Sequence, residues 1–137
     1  MNLEAELTAL KTQHRSLPLT ERAILSCRLA KQLEKLGKYD FAYEALAEFW
    51  PDRNEPKVDG LDAITQAEVL LRIGALAGWL GSTDQTAGGQ ETAKNILTLS
   101  IELFEQLEKA DKVSEARGDL ALCYYREGSF DPKETMT

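Results

Sequence analysis

The tightest constraint on this chain is a helix-and-turn signature that it writes three times. In residues 115–131, EARGDLALCYYREGSFD, Leu120, Ala121 and Tyr124 fall on one helical face, and Gly128 sits where that helix must stop. Glycine ends helices readily because it enters the left-handed conformation without a Cβ clash. Residues 26–42, SCRLAKQLEKLGKYDFA, repeat the grammar around Gly37, and residues 70–81, LLRIGALAGWLG, repeat it less fully around Gly81. A small residue precedes each glycine by seven positions: Ala30, Gly74 and Ala121. Gly37 and Gly81 are 44 residues apart, Gly81 and Gly128 47. A period in this range with two helices per unit indicates a helical repeat.

Composition agrees with an all-α reading. Ala, Leu, Glu, Lys and Gln dominate, and runs of Val, Ile, Thr and Tyr that would build strands are missing. At 137 residues the chain makes one domain-sized unit. Its net charge of −7, with no local run of Lys and Arg, argues against a nucleic-acid partner. The N-terminus, MNLEAELTAL, carries acids and is not a signal peptide, and no stretch approaches 18 apolar residues. The expectation is a cytoplasmic protein with no membrane partner. Cys27 and Cys123 lie within apolar helical patterns and read as reduced core thiols.

Taken in order, residues 1–19 form a short helix over residues 2–15 and a linker to Pro18. Thr20 is a candidate N-cap for a helix over 21–36, with Leu25, Leu29, Leu33 and Leu36 as its apolar stripe and Gly37 closing it. A partner helix over 39–50 carries Phe41, Ala42, Ala45, Leu46 and Phe49. The short link makes the two an αα-hairpin. Residues 51–60, PDRNEPKVDG, are a loop. The next helix starts near Asp62 or Thr65, where Thr65 and Glu68 fit a capping box, and buries Leu70, Ile73, Gly74, Ala77 and Leu80. Gly74 and Gly78 weaken it by roughly 1 kcal/mol each relative to Ala, so a neighbouring helix is expected to come close there. Residues 81–89, GSTDQTAGG, read as a loop. A long helix over 90–109 turns Ala93, Ile96, Leu97, Ser100, Ile101, Phe104 and Leu107 inward. Asp111 can cap a last helix to residue 127, and Pro132 suits the first turn of the segment after Phe130.

LAKQLEKLGKYDFAYEAL and LALCYYREGSFD resemble tetratricopeptide repeats. The matching features are a Leu or Ile followed by a small residue (Leu29-Ala30, Ile73-Gly74, Leu120-Ala121), a larger apolar position near the helix end (Leu33, Tyr124, with Ala77 smaller), the turn glycine, an aromatic-Asp pair (Tyr39-Asp40, Phe130-Asp131) and the small Ala42. The second copy lacks the aromatic-Asp pair and carries the 81–89 insertion, and Lys133 stands where a small residue belongs. Residues 20–137 are then a degenerate, elongated repeat domain with units at about 20–50, 62–109 and 111–137, the last incomplete. The resemblance implies a right-handed superhelical stack of antiparallel helix hairpins, no enzymatic activity, and a peptide or protein partner bound on the concave face lined by the first helix of each pair.

On that analogy the groove presents Lys31, Lys35, Arg72, Trp79, Tyr125 and Arg126, a mildly basic, aromatic-lined surface suited to an acidic peptide. The bland alternative is a solvated helix face. The Lys, Asn and Arg set of a carboxylate clamp is not found. Leu120 and Tyr124 mark an open end, and a homodimer through it, or a longer array, is the rival reading. No catalytic residue, cofactor site or metal site is expected. His14 stands alone as a histidine, Glu102, Glu105 and Glu108 have the spacing of a solvated face, and neither cysteine has a CxxC neighbour.

Overall fold

A computed structural model describes residues 2–13, 16–83 and 88–128. His14, Phe130, Asp131, Pro132 and Lys133 lie outside the described residues, and so do the expectations placed on them. The described chain is all-helical: α1 (Leu3–Gln13), α2 (Leu19–Lys35), α3 (Tyr39–Leu46), α4 (Ala63–Thr83), α5 (Gly89–Gln106) and α6 (Ala110–Gly128), with a 3-10 turn at Pro51–Arg53.

α4 is the centre. It packs against α2, α3, α5 and α6, while α1 rests on α2 and α3. Leu71, Ile73 and Leu76 of α4, Leu29 and Leu33 of α2, and Leu97 and Phe104 of α5 are the large side chains that fill the core, each essentially without exposed surface. Burying a side chain of this size contributes about 1.5–3 kcal/mol. Ser100 is accommodated in that core because its hydroxyl donates to the Ala67 carbonyl at 2.9 Å. Cys27 and Cys123 are buried free thiols, as their surroundings predicted. Against the expectation that no stretch approaches 18 apolar residues, Ala63–Ser82 is long and apolar enough to cross a membrane by length and composition, yet 72% of that stretch is buried within the fold.

Two helix ends share one stop. At α2, the Lys38 N–H donates to Leu33 O at 2.9 Å and the Gly37 N–H to Glu34 O at 2.9 Å, with Gly37 at φ +74°. At α5, Lys109 donates to Phe104 O at 2.9 Å and Glu108 to Glu105 O at 3.1 Å, with Glu108 at φ +58°. This is the Schellman pairing, and it reverses the chain between α2 and α3 and between α5 and α6.

Several expected boundaries move, each for a local reason. Gly81 is not a turn: α4 runs through it to Thr83. The residue serves close approach instead, since a Cβ on Gly81 would lie 3.0 Å from the Gly89 Cα at the start of α5. α3 stops at Leu46 rather than Trp50. The Lys57 N–H reaches back to Phe49 O at 2.7 Å and the Trp50 indole N–H donates to Asn54 O at 2.8 Å, so the chain folds over and both aromatics are buried. Pro51 also disfavours helix at Trp50. Pro18, not Thr20, occupies the N-cap of α2, without a side-chain cap bond. Asp62 caps α4 by accepting from the Thr65 N–H at 3.0 Å, and hydrogen bonds from the Thr65 side chain and then its backbone lower its pKa. The Thr65–Glu68 box does not form, because α4 already starts at Ala63 with Thr65 inside its first turn, and Glu68 pairs with Lys112 of α6 at 2.9 Å. Asp111 lies inside the first turn of α6 rather than at its cap, and Leu36, expected in the stripe, is 63% exposed.

Candidate functional site

The sides of α2, α4 and α6 that α3 and α5 leave uncovered form one surface with two distinct halves. Towards the N-terminal ends of these helices they enclose a cleft of about 340 Å³. α2 supplies Ile24, Cys27, Arg28 and Lys31; α4 supplies Ile64, Thr65, Glu68 and Arg72; α6 supplies Lys112 and Glu115. The spacings Ile24–Arg28–Lys31 and Ile64–Glu68–Arg72 each hold one helical stripe, which is why these side chains converge.

Glu115 is the electrostatic hub of the cleft. It pairs with the Arg72 guanidinium, with Lys31 Nζ at 3.4 Å and with Lys112 Nζ at 3.5 Å. Burial works against its ionisation, but Arg72, Lys112 and Lys31 outweigh burial and hold its carboxyl below the usual range. Lys112 also meets Glu68 at 2.9 Å; burial disfavours its charge, and Glu68 and Glu115 more than restore it, raising its pKa. Arg28 pairs outward with Glu6 of α1 at 3.4 Å. Ile24 and Ile64 stand on the rim with 58% and 37% of their surfaces exposed. Cys27 lies at the cleft wall with its thiol pushed up to about 12 by burial, so it is no nucleophile at neutral pH.

The other half is a packed plug. Trp79 of α4 stacks on Tyr39 of α3, ring centroids 5.5 Å apart and planes at 14°, and the Arg126 guanidinium lies 4.5 Å from the Trp79 centroid. Gln90 of α5 bridges the same spot: its amide donates to Gly78 O at 2.9 Å and its oxygen accepts from Arg126 at 3.4 Å. Under this plug sits Glu34 of α2. Burial raises its pKa to about 7; Asp119 of α6 adds to the rise, while Arg72, a hydrogen bond from Trp79 and Arg126 oppose it. Asp119 is itself raised, by burial first, with Glu115 adding and Arg72, Arg126 and Lys31 opposing.

The structure therefore divides the six groove residues expected from the sequence. Lys31 and Arg72 share the cleft, but Arg72 is 5% exposed and ion-paired rather than presented to solvent. Trp79 and Arg126 belong to the plug, their ring and guanidinium engaged with each other. Lys35 is exposed near the end of α2, and Tyr125 is 70% exposed on α6. Among the described residues, no aromatic ring lines the cleft. Of the two open-end residues, Leu120 packs partly against the core and Tyr124 is 58% exposed, with Lys94 Nζ 4.7 Å from its ring centroid. The sequence reading missed Glu34, Glu68, Lys112, Glu115 and Asp119. Their one signal was acid and base at helical spacing on stripes that also carry apolar residues, as in Glu68–Arg72 and Lys112–Glu115–Asp119. Among the described residues, no three His, Cys, Asp or Glu side chains converge as metal ligands.

Glu34 carries a pH prediction. A carboxyl whose folded pKa lies above its unfolded value near 4.5 leaves the fold with the extra proton between those limits. Its contribution to stability falls as pH rises from about 4.5 to about 7 and is flat above. Glu34→Gln keeps an acceptor for Trp79 and removes that loss. It is expected to stabilise the protein by about 2 kcal/mol at pH 8, with the advantage shrinking towards zero below pH 5. Urea unfolding of both proteins at pH 5 and pH 8 measures this. An advantage that does not change with pH would mean that Glu34 is not held protonated by the fold.

Neither family models, curated proteins nor solved structures give a match to this chain.

Proposed function

We propose that the chain is a non-enzymatic binding module that takes a protein or peptide partner on the face of α2, α4 and α6, within a stack of helix hairpins of the tetratricopeptide type. The observation that carries this reading is the cleft where those three helices meet. It gathers cationic groups from α2, α4 and α6 beside two exposed isoleucines, in a protein of net charge −7. Apolar side chains beside a small number of convergent polar groups are a common makeup of a binding pocket. The plug stiffens the other half of the face, so the cleft is presented on a fixed frame.

A second reading rests on α6. Leu122, Tyr124 and Tyr125 are 41%, 58% and 70% exposed, whereas Leu33 and Ala77, the residues in register with Tyr124 in α2 and α4, are 0% and 5% exposed. A homodimer through this uncovered side is the alternative use of the fold.

Affinity capture from the source lysate tests both. The chain is compared with Lys31→Glu/Lys112→Glu in the cleft and with Lys57→Glu/Lys109→Glu at exposed positions that do not line it. The expected result is a partner lost only with the cleft variant, whose helical circular dichroism spectrum at the capture temperature shows that it still folds. Equal retention by all three proteins rejects the cleft. A dimer by light scattering that Tyr124→Glu dissolves would favour the α6 reading.

A further inference from the structure

α3 stops early and leaves space beside α4. It runs for eight residues, about 12 Å, whereas α5, which also packs on α4, runs for 18 residues, about 27 Å. The chain after α3 continues as a loop, and between that loop and α5 lies a groove of about 650 Å³. Residues 54–56 and Val58 make one bank, and α5 from 92 to 106 makes the other, about 21 Å long. The loop bank is held in place, since Lys57 donates to Phe49 O at 2.7 Å and Trp50 to Asn54 O at 2.8 Å. Gln66 and Leu70 of α4 complete the lining. Each is two residues on from Ile64 or Glu68 of the cleft, roughly 200° around the helix, so the groove opens on the opposite side of α4. Ile96, Leu99 and Leu103 follow one another at three and four residues along α5. Leu70 and Ile96 are buried, Val58 and Leu103 are partly buried, and Leu99 is 51% exposed. The charge is one-sided. Glu55 stands on the loop bank and Glu102 on α5, no Lys or Arg among the described residues lines the groove, and neither carboxylate has an ion-pair partner among them. The surroundings do not neutralise it. Residues 51–62 carry Asp52, Glu55, Asp59 and Asp62 against Arg53 and Lys57. On α5, Glu91 is matched by Lys94 and Glu105 by Arg117.

We infer that this groove docks a basic amphipathic helix of a partner protein, laid along α5 with an aliphatic stripe on Leu99, Leu103 and Val58 and with Lys or Arg on both shoulders, over Glu55 and Glu102. A helix presents an aliphatic stripe and two flanking basic rows to one side at once, whereas an extended strand turns alternate residues to opposite faces. The apolar floor with an acid on each bank calls for that arrangement. A bank of about 21 Å accommodates roughly 14 helical residues. An acidic helix of the same shape would bring like charge onto two carboxylates that have no cation beside them. The groove is separate from the cleft, and neither assignment depends on the other.

The test uses the whole chain with leucine and valine methyl labels and the peptide Ac-KLKALLAKLKALLK-amide, whose leucines form one helical stripe with lysines on both sides. Two control peptides accompany it, one with Glu for every Lys and one of the same composition with its leucines spread around the helix. The expected result is saturable shifts at Leu99, Leu103 and Val58 with the first peptide, none with the Glu peptide, and at least tenfold weaker binding of the scrambled one. Glu55→Gln/Glu102→Gln should weaken binding about fivefold at low salt, the size of two exposed ion pairs, and the difference should fade at high salt. Leu99→Gln should weaken it at any salt. These side chains are at the surface, and a helical circular dichroism spectrum checks that each variant folds. Equal binding of the scrambled peptide, equal affinity of the Gln variant, or shifts that miss these methyls overturns the inference. Shifts at the same methyls that grow with protein concentration in the absence of peptide, with a dimer by light scattering, would seat a second copy in the groove and overturn it too. Each of these failures leaves the cleft reading where the lysate capture puts it.

Discussion

Arg72→Ala is expected to lower the unfolding free energy by about 3–5 kcal/mol at pH 8, the range for removing one partner of a buried ion pair. The side chain is 5% exposed on the central helix and pairs with Glu115. It also opposes the pKa rise of Glu34 and Asp119. Its loss therefore leaves three carboxylates from α2 and α6 without the cation they share. The deficit depends on pH, and the sign follows from the direction of each shift. Glu115 is held low in the fold, so its pairing stabilises above the unfolded carboxylate range and is lost as pH falls through its folded value. Glu34 and Asp119 are raised already, and without Arg72 they rise further, which makes their ionisation near neutral pH costlier. Both effects make the variant worst at neutral and alkaline pH and bring it closer to the parent at pH 4.5. Urea titrations at the two pH values read this directly, with Arg72→Met beside Arg72→Ala to separate charge from volume. A loss under 1 kcal/mol at pH 8, or one of equal size at both pH values, would show that the network is solvated and not structural.

Arg72 also shows where sequence legibility stopped. The all-helical class was readable because Leu29, Leu33, Ile73, Leu97 and Phe104 fall at helical spacing, and each is buried as that spacing demands. The same pattern placed Arg72 off the apolar stripe, and an arginine there normally reaches solvent. What buries it is α6, which brings Glu115 across from 43 residues away. Glu34 and Asp119 were unreadable for the same reason. An acid on a helix is solvated unless the register of a neighbouring helix covers it, and register between non-adjacent helices is not written in local periodicity. The boundaries failed in another way. A turn glycine and a close-approach glycine look alike in a sequence, so Gly81 was read as Gly37 is. The early end of α3 followed from burying Phe49 and Trp50, a tertiary gain that outweighed the helix-forming residues before them.

Gly74→Val is expected to destabilise the protein by about 3 kcal/mol, although a glycine inside a helix is normally a weakness. A Cβ at Gly74 would lie 2.7 Å from Leu97 Cγ and 2.8 Å from Leu97 Cδ2, with the Leu97 backbone nitrogen at 3.3 Å. Leu97 is fully buried on α5 and has no free volume to turn into, so α4 and α5 must move apart. Even Gly74→Ala should be a net loss, the clash exceeding the roughly 1 kcal/mol that alanine gains in helix propensity. Gly118 provides the control on the same fold. It lies within α6, nothing is within 4 Å of its Cβ position, and Gly118→Ala should stabilise by about 1 kcal/mol. Opposite signs for the two alanine variants, measured in the same urea series, would tie the cost at Gly74 to helix spacing. Coupling supplies the second reading. Leu97→Ala opens the space that Gly74→Ala needs, so the double variant should be more stable than the sum of the single losses, whereas independent sites would add. Additivity, or a stabilising Gly74→Ala, would mean that α4 and α5 are not in hard contact. The spacing matters beyond stability because Gly78, one turn on, meets the Arg126 guanidinium at 2.6 Å from its Cβ position. The glycines thus let α5 and α6 approach α4 closely enough to hold Arg126 over Trp79. A variant that widens α4 from α5 should raise Trp79 fluorescence quenching by iodide before it unfolds the chain, because the ring loses its guanidinium cover first.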